Sequence, residues 1–126
     1  MILPPYATLL GLTLEREDDG RPRLVMPFGG SVLGRPGFLH GGAIGGLLEM
    51  AAIAGVRHAL ADETVTIKPV NLTIDFMRGG RELTTFAVAD IRRLGTRIAS
   101  VDATAWQEDR DRPIASARLT LLLRRP

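Results

Sequence analysis

The longest apolar stretch of the chain runs from Ala43 to Val56, and Glu49 is the only charged side chain in it. A helix over this stretch would be apolar on nearly every side, which is typical of a helix buried inside a domain. The pattern predicts a helix of about 18 residues from Gly41, which would be about 27 Å long. We therefore expect the rest of the chain to wrap around this helix.

Alternating apolar and polar residues predict strands on both sides of the helix. Before it, Thr13–Glu17 and Arg21–Met26 flank Asp18-Asp19-Gly20, and Asp-Gly is typical of a hairpin turn. After it, the same alternation predicts four strands: Val70–Arg78, Leu83–Arg92, Thr96–Gln107 and Pro113–Leu123. The alternation in Val70–Arg78 is typical of a half-buried strand.

Alanines and other apolar residues occupy one face of the last two predicted strands. This face carries Ala99, Val101, Ala103, Ala105, Ala115, Ala117, Leu119, Leu121 and Leu123. A sheet face of this kind lets a helix pack closely against it.

Two other segments complete the chain. Residues 4–12 predict a short amphipathic helix with four packing residues: Tyr6, Leu9, Leu10 and Leu12. The segment Pro27–Phe38 is rich in glycine and has no periodicity, so it predicts a long loop, and long loops are often functional. With no repeat or linker, the sequence predicts a single α+β domain over residues 1–126, with strands before and after one long helix.

Composition excludes several kinds of site. The chain has no cysteine, so it has no disulfide, no thiolate metal site and no cysteine nucleophile. Two histidines are too few for a zinc site without carboxylate help, and we expect no metal. The net charge is only +2, although nearly all the basic residues are arginine, and such diffuse charge does not indicate nucleic-acid binding.

The hydrophobic pattern also bears on location and assembly. The N-terminal residues lack the basic region of a signal peptide, and the apolar run is shorter than the roughly 20 residues that span a bilayer. We expect a soluble cytoplasmic protein that does not bind membranes. A helix this apolar is hard to bury in a 126-residue monomer, so we expect an oligomer.

The start of the predicted helix carries candidate chemistry. The sequence His40-Gly41-Gly42 would leave unpaired backbone N–H groups at the helix N-terminus, where a developing negative charge is stabilised. Glu49 lies two turns further on. A lone carboxylate in a buried helix is a candidate catalytic group, but it could equally be a structural carboxylate paired with an arginine.

The motif resembles one known family. The matching residues are Gly37, the run His40 to Ala43, Glu49 nine places after the histidine, the strand Asn71–Arg78, Gly95 and the closing strand Ala115–Leu123. They resemble the hotdog-fold acyl-CoA thioesterases, especially the PaaI-like enzymes of phenylacetic acid degradation.

The resemblance implies a fold and an assembly. A sheet of strand order 1-2-4-5-6-3 would wrap around the central helix. Two chains would form a homodimer through the strand after the helix, Val70–Phe76, and two dimers would form a tetramer. The substrate would be an acyl-CoA, with no cofactor beyond the coenzyme A that is part of it.

The resemblance also implies roles for individual residues. The Gly41 N–H would stabilise the oxyanion, and Glu49, reaching across the dimer interface, would be the nucleophile or the general base. His40 would belong to the same site, where holding the helix entrance by hydrogen bonding is a more natural role than proton transfer. The substrate-binding candidates are Gly34, Gly42, Asn71, Thr73, Arg78 and Arg93, with the arginines at strand ends where the phosphates of coenzyme A would lie.

The sequence departs from the family at one position. The family usually has Asn or Gln six residues before the histidine, to orient the thioester or the water, and this chain has Gly34 there. Ser31 and Asn71 are candidates to supply the contact instead. Two alternatives to a thioesterase stay open. One is a hotdog hydroxyacyl dehydratase with His40 as its base, and the other is a non-catalytic acyl-CoA binding protein, which the missing Asn or Gln favours.

Overall fold

A computed structural model describes residues 1–126, and the predicted central helix is present as α2, Gly41–Leu60. It begins at the predicted residue. It ends where Ala61 adopts a left-handed conformation (φ 51°) and donates its N–H to the Arg57 carbonyl at 3.1 Å. The helix is long and apolar enough to cross a membrane by length and composition alone, but most of it is buried inside the domain.

Six strands and a short first helix surround α2. The first helix is α1, Pro5–Leu9, and a 3₁₀ turn covers Gly30–Val32 in the glycine-rich loop. The strands are β1 (Thr13–Arg16), β2 (Pro22–Met26), β3 (Thr66–Phe76), β4 (Thr85–Leu94), β5 (Ile98–Trp106) and β6 (Ala115–Arg124).

All six strands form one antiparallel sheet in the order β1-β2-β4-β5-β6-β3. This is the order that the resemblance implied, so the predicted hotdog fold is confirmed. The hairpin between β1 and β2 turns at the predicted Asp-Gly, where Gly20 has φ +88°. Glycine adopts this left-handed conformation without the steric cost that other residues pay.

The helix packs closely on the sheet because the facing residues are small. The residues predicted to form the inner faces of β5 and β6, which begin at Ala99 and end at Leu123, are all buried. A Cβ added to Gly55 of α2 would lie only 2.9 Å from the Ala89 Cβ of β4. The small residues therefore set the distance between the helix and the sheet.

The structure corrects two local predictions. Of the four predicted packing residues, Leu10 is buried and Leu12 is partly buried, whereas Leu9 is 66% exposed. Tyr6 is also largely exposed, although its ring contacts α2 at Gly46. Strand β3 begins at Thr66 instead of residue 70, because β6 pairs with it as far as Arg124 and accommodates Pro69 beside a bulge.

The apolar side chains of β3 are also more exposed than a half-buried strand requires. Val70 and Phe76 are each 55% exposed in the single chain. Strand β3 lies at an edge of the sheet, where it pairs only with β6.

Candidate functional site

An open apolar groove of about 540 Å³ lies along one face of α2. Its floor is the helix itself, at Gly41, Gly42, Gly45, Gly46 and Glu49. Its walls are Tyr6 of α1 and three β3 side chains, Leu72, Ile74 and Phe76. The structure therefore brings three predicted site residues, Gly41, Gly42 and Glu49, into one groove.

The groove exists because four of the five residues of its floor are glycine. A Cβ at Gly45 would lie 2.9 Å from the Ile74 side chain, and a Cβ at Gly46 would lie 2.6 Å from the Tyr6 ring. Both contacts are far shorter than ordinary van der Waals contact, so larger residues would push the walls apart. The glycines let both walls approach the helix backbone.

The helix N-terminus presents one free amide. His40 is the N-cap, and its Nδ1 accepts the Gly42 N–H at 2.9 Å, while the Ala43 and Ile44 N–H groups donate to the His40 carbonyl. The Gly41 N–H has no acceptor within the chain. Because the helix dipole is positive at this end, this free N–H is suited to stabilising an oxyanion.

The contact of His40 Nδ1 with the helix defines its structural role. A ring nitrogen that accepts from a backbone N–H is not protonated, and here it fixes the turn into α2. This geometry agrees with the hydrogen-bonding role expected for His40.

Glu49 is partly buried in the groove, and none of the hydrogen bonds or ion pairs within the chain involves its carboxylate. No arginine of the same chain pairs with it. The structural alternative, a carboxylate satisfied by arginine, is therefore not realised within one chain. The carboxylate faces the groove with its oxygens available.

Gly34 lies against the start of α2. A Cβ there would lie 3.0 Å from the His40 Cα and 3.2 Å from the Leu39 carbonyl oxygen. Since these are backbone atoms, an Asn or Gln at this position would require the loop to shift. The missing amide side chain is thus part of how this loop packs, and the exposed Ser31 does not line the groove.

Asn71 and Thr73 lie on the other face of β3. Side chains alternate along the strand, so Leu72 and Ile74 face the groove whereas Thr73 lines a polar pocket on the outer face of the sheet with Asp102 and others. Within one chain these two candidates are therefore separated from Glu49, and their substrate-binding role stays a prediction.

The two arginine candidates lie at opposite ends of the sheet. Arg78 follows Phe76, whose ring is 3.5 Å from the Cβ position of Gly41, so it is near the head of the groove. Arg93 is paired with Ser100, and Thr120 and Asn71 continue this row across the sheet. This row crosses β3 next to Leu72 of the groove wall, and it is five residues, or about 17 Å, from Phe76 at the helix-start end of the groove. Within one chain the two arginines are therefore well separated along the sheet.

Sequence reasoning missed an arginine cluster beside Arg78. The guanidinium carbons of Arg35 and Arg81 lie 4.3 Å and 4.7 Å from the centre of the Phe38 ring. Gln107 fixes the Arg81 backbone by bonding both its N–H and its carbonyl. Neither guanidinium is in an ion pair, so both are free to bind an anion.

Arg78 and Arg81 also line a second cavity of about 380 Å³, together with Gly79, Gln107, Glu108, Asp109, Arg112 and Ile114. Two of these lining residues are acidic. The cavity is therefore of mixed charge, and only the arginine side chains favour phosphate.

Comparison with known proteins gives one family. The sequence profile of the thioesterase superfamily matches residues 36–114, which include the end of the glycine-rich loop, all of α2 and the next three strands. A search of the curated proteins found no match.

Solved structures share the fold over nearly the whole chain. A Chromobacterium violaceum protein is 36% identical, with 94% of this chain and 82% of that chain covered and a TM-score of 0.74. A Bacillus halodurans protein solved with CoA is 22% identical, with 98% and 80% covered and a TM-score of 0.86. A phenylacetic acid degradation-related protein of Ralstonia eutropha, assigned as a candidate thioesterase, is 20% identical, with 97% and 92% covered and a TM-score of 0.81.

Proposed function

The chain belongs to the thioesterase superfamily, and from this premise we propose that it hydrolyses an acyl-CoA thioester to a free carboxylic acid and coenzyme A. The observation that supports this most directly is the groove, which combines a free helix N-terminal amide at Gly41 with the unpaired carboxylate of Glu49. Thioester hydrolysis needs these two groups, an oxyanion donor and a nucleophile or base.

The reaction assigns a task to each group. Attack on the carbonyl carbon moves an electron pair onto the carbonyl oxygen, and the Gly41 N–H donates to that oxygen. The tetrahedral intermediate then collapses, the C–S bond breaks and the coenzyme A thiolate leaves and takes up a proton. Either Glu49 attacks and water hydrolyses the resulting anhydride, or Glu49 removes a proton from the attacking water.

The spacing of Gly41 and Glu49 favours a site shared by two chains. They are eight residues apart on α2, which is about 12 Å along the helix axis. The groups that act on one carbonyl lie about 3 Å from its reacting atoms. We therefore propose a homodimer in which Glu49 of one chain serves the thioester held by Gly41 of the other.

Coenzyme A would enter past the arginine cluster. Arg35, Arg78 and Arg81 lie by the loop that leads into α2, and guanidinium groups bind phosphates well. A related fold has been solved with CoA, which supports this choice of thioester. The cytoplasmic location and the dimer of dimers stay predictions.

Two observations bear on the alternatives. His40 Nδ1 is occupied by the Gly42 N–H, which makes His40 a poor choice for the base of a dehydratase. The absence of an amide side chain at Gly34 favours a second candidate function, non-catalytic acyl-CoA binding, because no such group orients the water.

The test is hydrolysis of a panel of acyl-CoA thioesters by wild type and by Glu49→Gln. Glutamine keeps the volume but lacks the basic oxygen, so turnover should fall at least about 10²-fold, as expected for loss of a general base. Binding of acyl-CoA should persist, and Glu49→Asp should keep part of the rate. If wild type binds acyl-CoA without turnover, or if the Gln variant equals wild type, the binding protein replaces the thioesterase.

A further inference from the structure

The groove wall formed by Tyr6 has no part in the chemistry above. Tyr6 is the only groove-lining residue that comes from α1. It is 42% exposed, and its hydroxyl makes no hydrogen bond within the chain. Since neither burial nor a hydrogen bond holds the Tyr6 side chain, a specific packing contact must keep it in place.

That contact is with the helix backbone at Gly46. A Cβ at position 46 would lie 2.6 Å from Tyr6 Cε2 and 3.4 Å from the ring carbon that carries the hydroxyl. Leu10 also lies against this position, at 3.0 Å. The aromatic ring therefore rests on α2, and only glycine at position 46 leaves space for it.

The ring lies on the same helix face as the groove floor. Gly42, Gly46 and Glu49 lie on one face of the helix, because residues four and three apart are neighbours on the helix surface. A ring seated on Gly46 thus lies between the helix start and the carboxylate. An acyl group that runs along the groove from a thioester held at Gly41 meets this ring.

The rest of the lining defines the chemistry of that acyl group. Apart from Glu49 and the Tyr6 hydroxyl, the lining side chains are Leu72, Ile74 and Phe76, and no arginine, lysine or histidine is among them. A second carboxylate in this groove would be repelled by Glu49 and would find no cation. The lining suits an uncharged acyl group.

We propose that Tyr6 limits the size of the acyl group, so that the groove accepts a short uncharged acyl chain that ends against the phenol. This inference rests on the proposed function, since it names the substrate class of the same site. Tyr6 is a specificity-determining residue and takes no part in bond breaking.

The experiment measures kcat/KM for butyryl-CoA, dodecanoyl-CoA and succinyl-CoA. In wild type, succinyl-CoA and dodecanoyl-CoA should each be at least about tenfold worse than butyryl-CoA, since pocket fit gives discrimination of this order. Tyr6→Ala should raise the ratio of dodecanoyl-CoA to butyryl-CoA at least about tenfold. Tyr6→Phe keeps the ring and should keep the wild-type ratio.

Leu9→Ala is the matched control. Leu9 is on the same short helix and is 66% exposed, but it does not line the groove. In Leu9→Ala, the ratio of kcat/KM for dodecanoyl-CoA to kcat/KM for butyryl-CoA should equal the wild-type ratio. Tyr6→Leu, which keeps an apolar contact with α2, replaces the Ala variant if that variant does not fold, and it should shift the ratio in the same direction.

Failure of this inference and failure of the proposed function give different results. If wild type hydrolyses thioesters and the folded Tyr6 variants leave the ratio unchanged, Tyr6 does not limit the acyl group. If wild type efficiently hydrolyses succinyl-CoA, the substrate class is wrong. If wild type hydrolyses none of the thioesters, the proposed function fails. Binding of non-hydrolysable acyl-CoA thioethers then decides the role of Tyr6, because Tyr6→Ala should shift the binding preference toward the dodecanoyl chain in the same way.

Discussion

Two neighbouring glycine amides at the start of α2 differ in their hydrogen bonding. The Gly42 N–H is bonded to His40 Nδ1, whereas the Gly41 N–H is unbonded within the chain. The Gly42 N–H therefore helps to fix the helix start, whereas the Gly41 N–H stays free to donate. A Cβ at Gly42 would also lie 2.9 Å from His40 Nδ1, so the glycine protects that bond.

Gly41→Pro removes this donor while preserving the helix. Proline is favoured at the first helical position, and His40 already has the extended conformation (φ −68°, ψ 131°) that a residue before proline needs. We expect turnover to fall about 10²-fold or more, as when one oxyanion donor is lost. Steady-state kinetics and the melting temperature would be measured together.

Gly41→Ala is the control for added bulk. It keeps the N–H, and its Cβ would lie 3.5 Å from the Phe76 ring, which is ordinary contact. Alanine should therefore lose much less activity than proline. A stable proline variant with the activity of the alanine variant would show that another group holds the oxyanion.

The site features that could be predicted from the sequence are those set by neighbouring residues in the chain. Gly41 and His40 were predictable because a helix start can be recognised in the sequence. The contact of the Tyr6 ring with Gly46 was not predictable, because the two residues are forty positions apart in the sequence. The same is true of Arg35 and Arg81, which meet only through the Phe38 ring.

At the scale of elements, hydrophobic periodicity predicted α2 and the six strands but not their exact ends. Periodicity describes what each strand buries, while the ends depend on pairing. Strand β3 extends back to Thr66 because β6 supplies partners there, through pairs that no local pattern shows. The predicted burial of β3 likewise needs a covering layer that one chain does not provide.

A charged cluster links the first hairpin to the turn between β5 and β6. Glu17 follows β1, and its side chain is only 9% exposed while it pairs with Arg23 at 2.8 Å and with Arg110. The hydrogen bond from Arg110, together with the charges of Arg110, Arg23 and Arg21, lowers the pKa of Glu17 below its ordinary value of 4.5. The Arg110 guanidinium also lies 4.4 Å from the Trp106 ring.

The lowered pKa gives a pH dependence with a definite sign. A carboxyl whose pKa is lower in the folded state stabilises the fold above its ordinary pKa, and this contribution is lost as the pH falls through the folded value. Glu17→Gln should therefore cost roughly 1–3 kcal/mol at pH 7. The difference from wild type should shrink as the pH falls below 4.5. Urea unfolding at several pH values measures both.

Glu15→Gln provides the comparison within the same cluster. Glu15 also pairs with Arg23, at 2.9 Å, but its side chain is 48% exposed, so the pair is screened by water. Glu15→Gln should lower the free energy of unfolding by well under about 1 kcal/mol. Equal costs for the two variants at all pH values would mean that burial of Glu17 contributes nothing.

On the scale of the whole molecule, β3 is the feature that a single chain leaves incomplete. It has eleven residues, and one of its edges is unpaired. Long exposed apolar edges favour association with another chain. Pairing of β3 with β3 of a second copy would continue the sheet, cover Val70 and bring the two grooves together, as the proposed shared site requires.

Subunit complementation tests that shared site directly. Gly41→Pro and Glu49→Gln should each be inactive alone, but a mixed dimer would contain one site with the intact Gly41 of one chain and the intact Glu49 of the other. Co-expressed at equal levels, the two variants should recover about a quarter of wild-type turnover, because half of randomly assembled dimers are mixed and each has one working site of two. Sedimentation of differently tagged chains would verify that mixed dimers form.

Two outcomes would contradict the shared site. Mixed dimers without activity would place Gly41 and Glu49 of one site in the same chain. A wild-type chain that stays monomeric at micromolar concentration would exclude the shared site altogether.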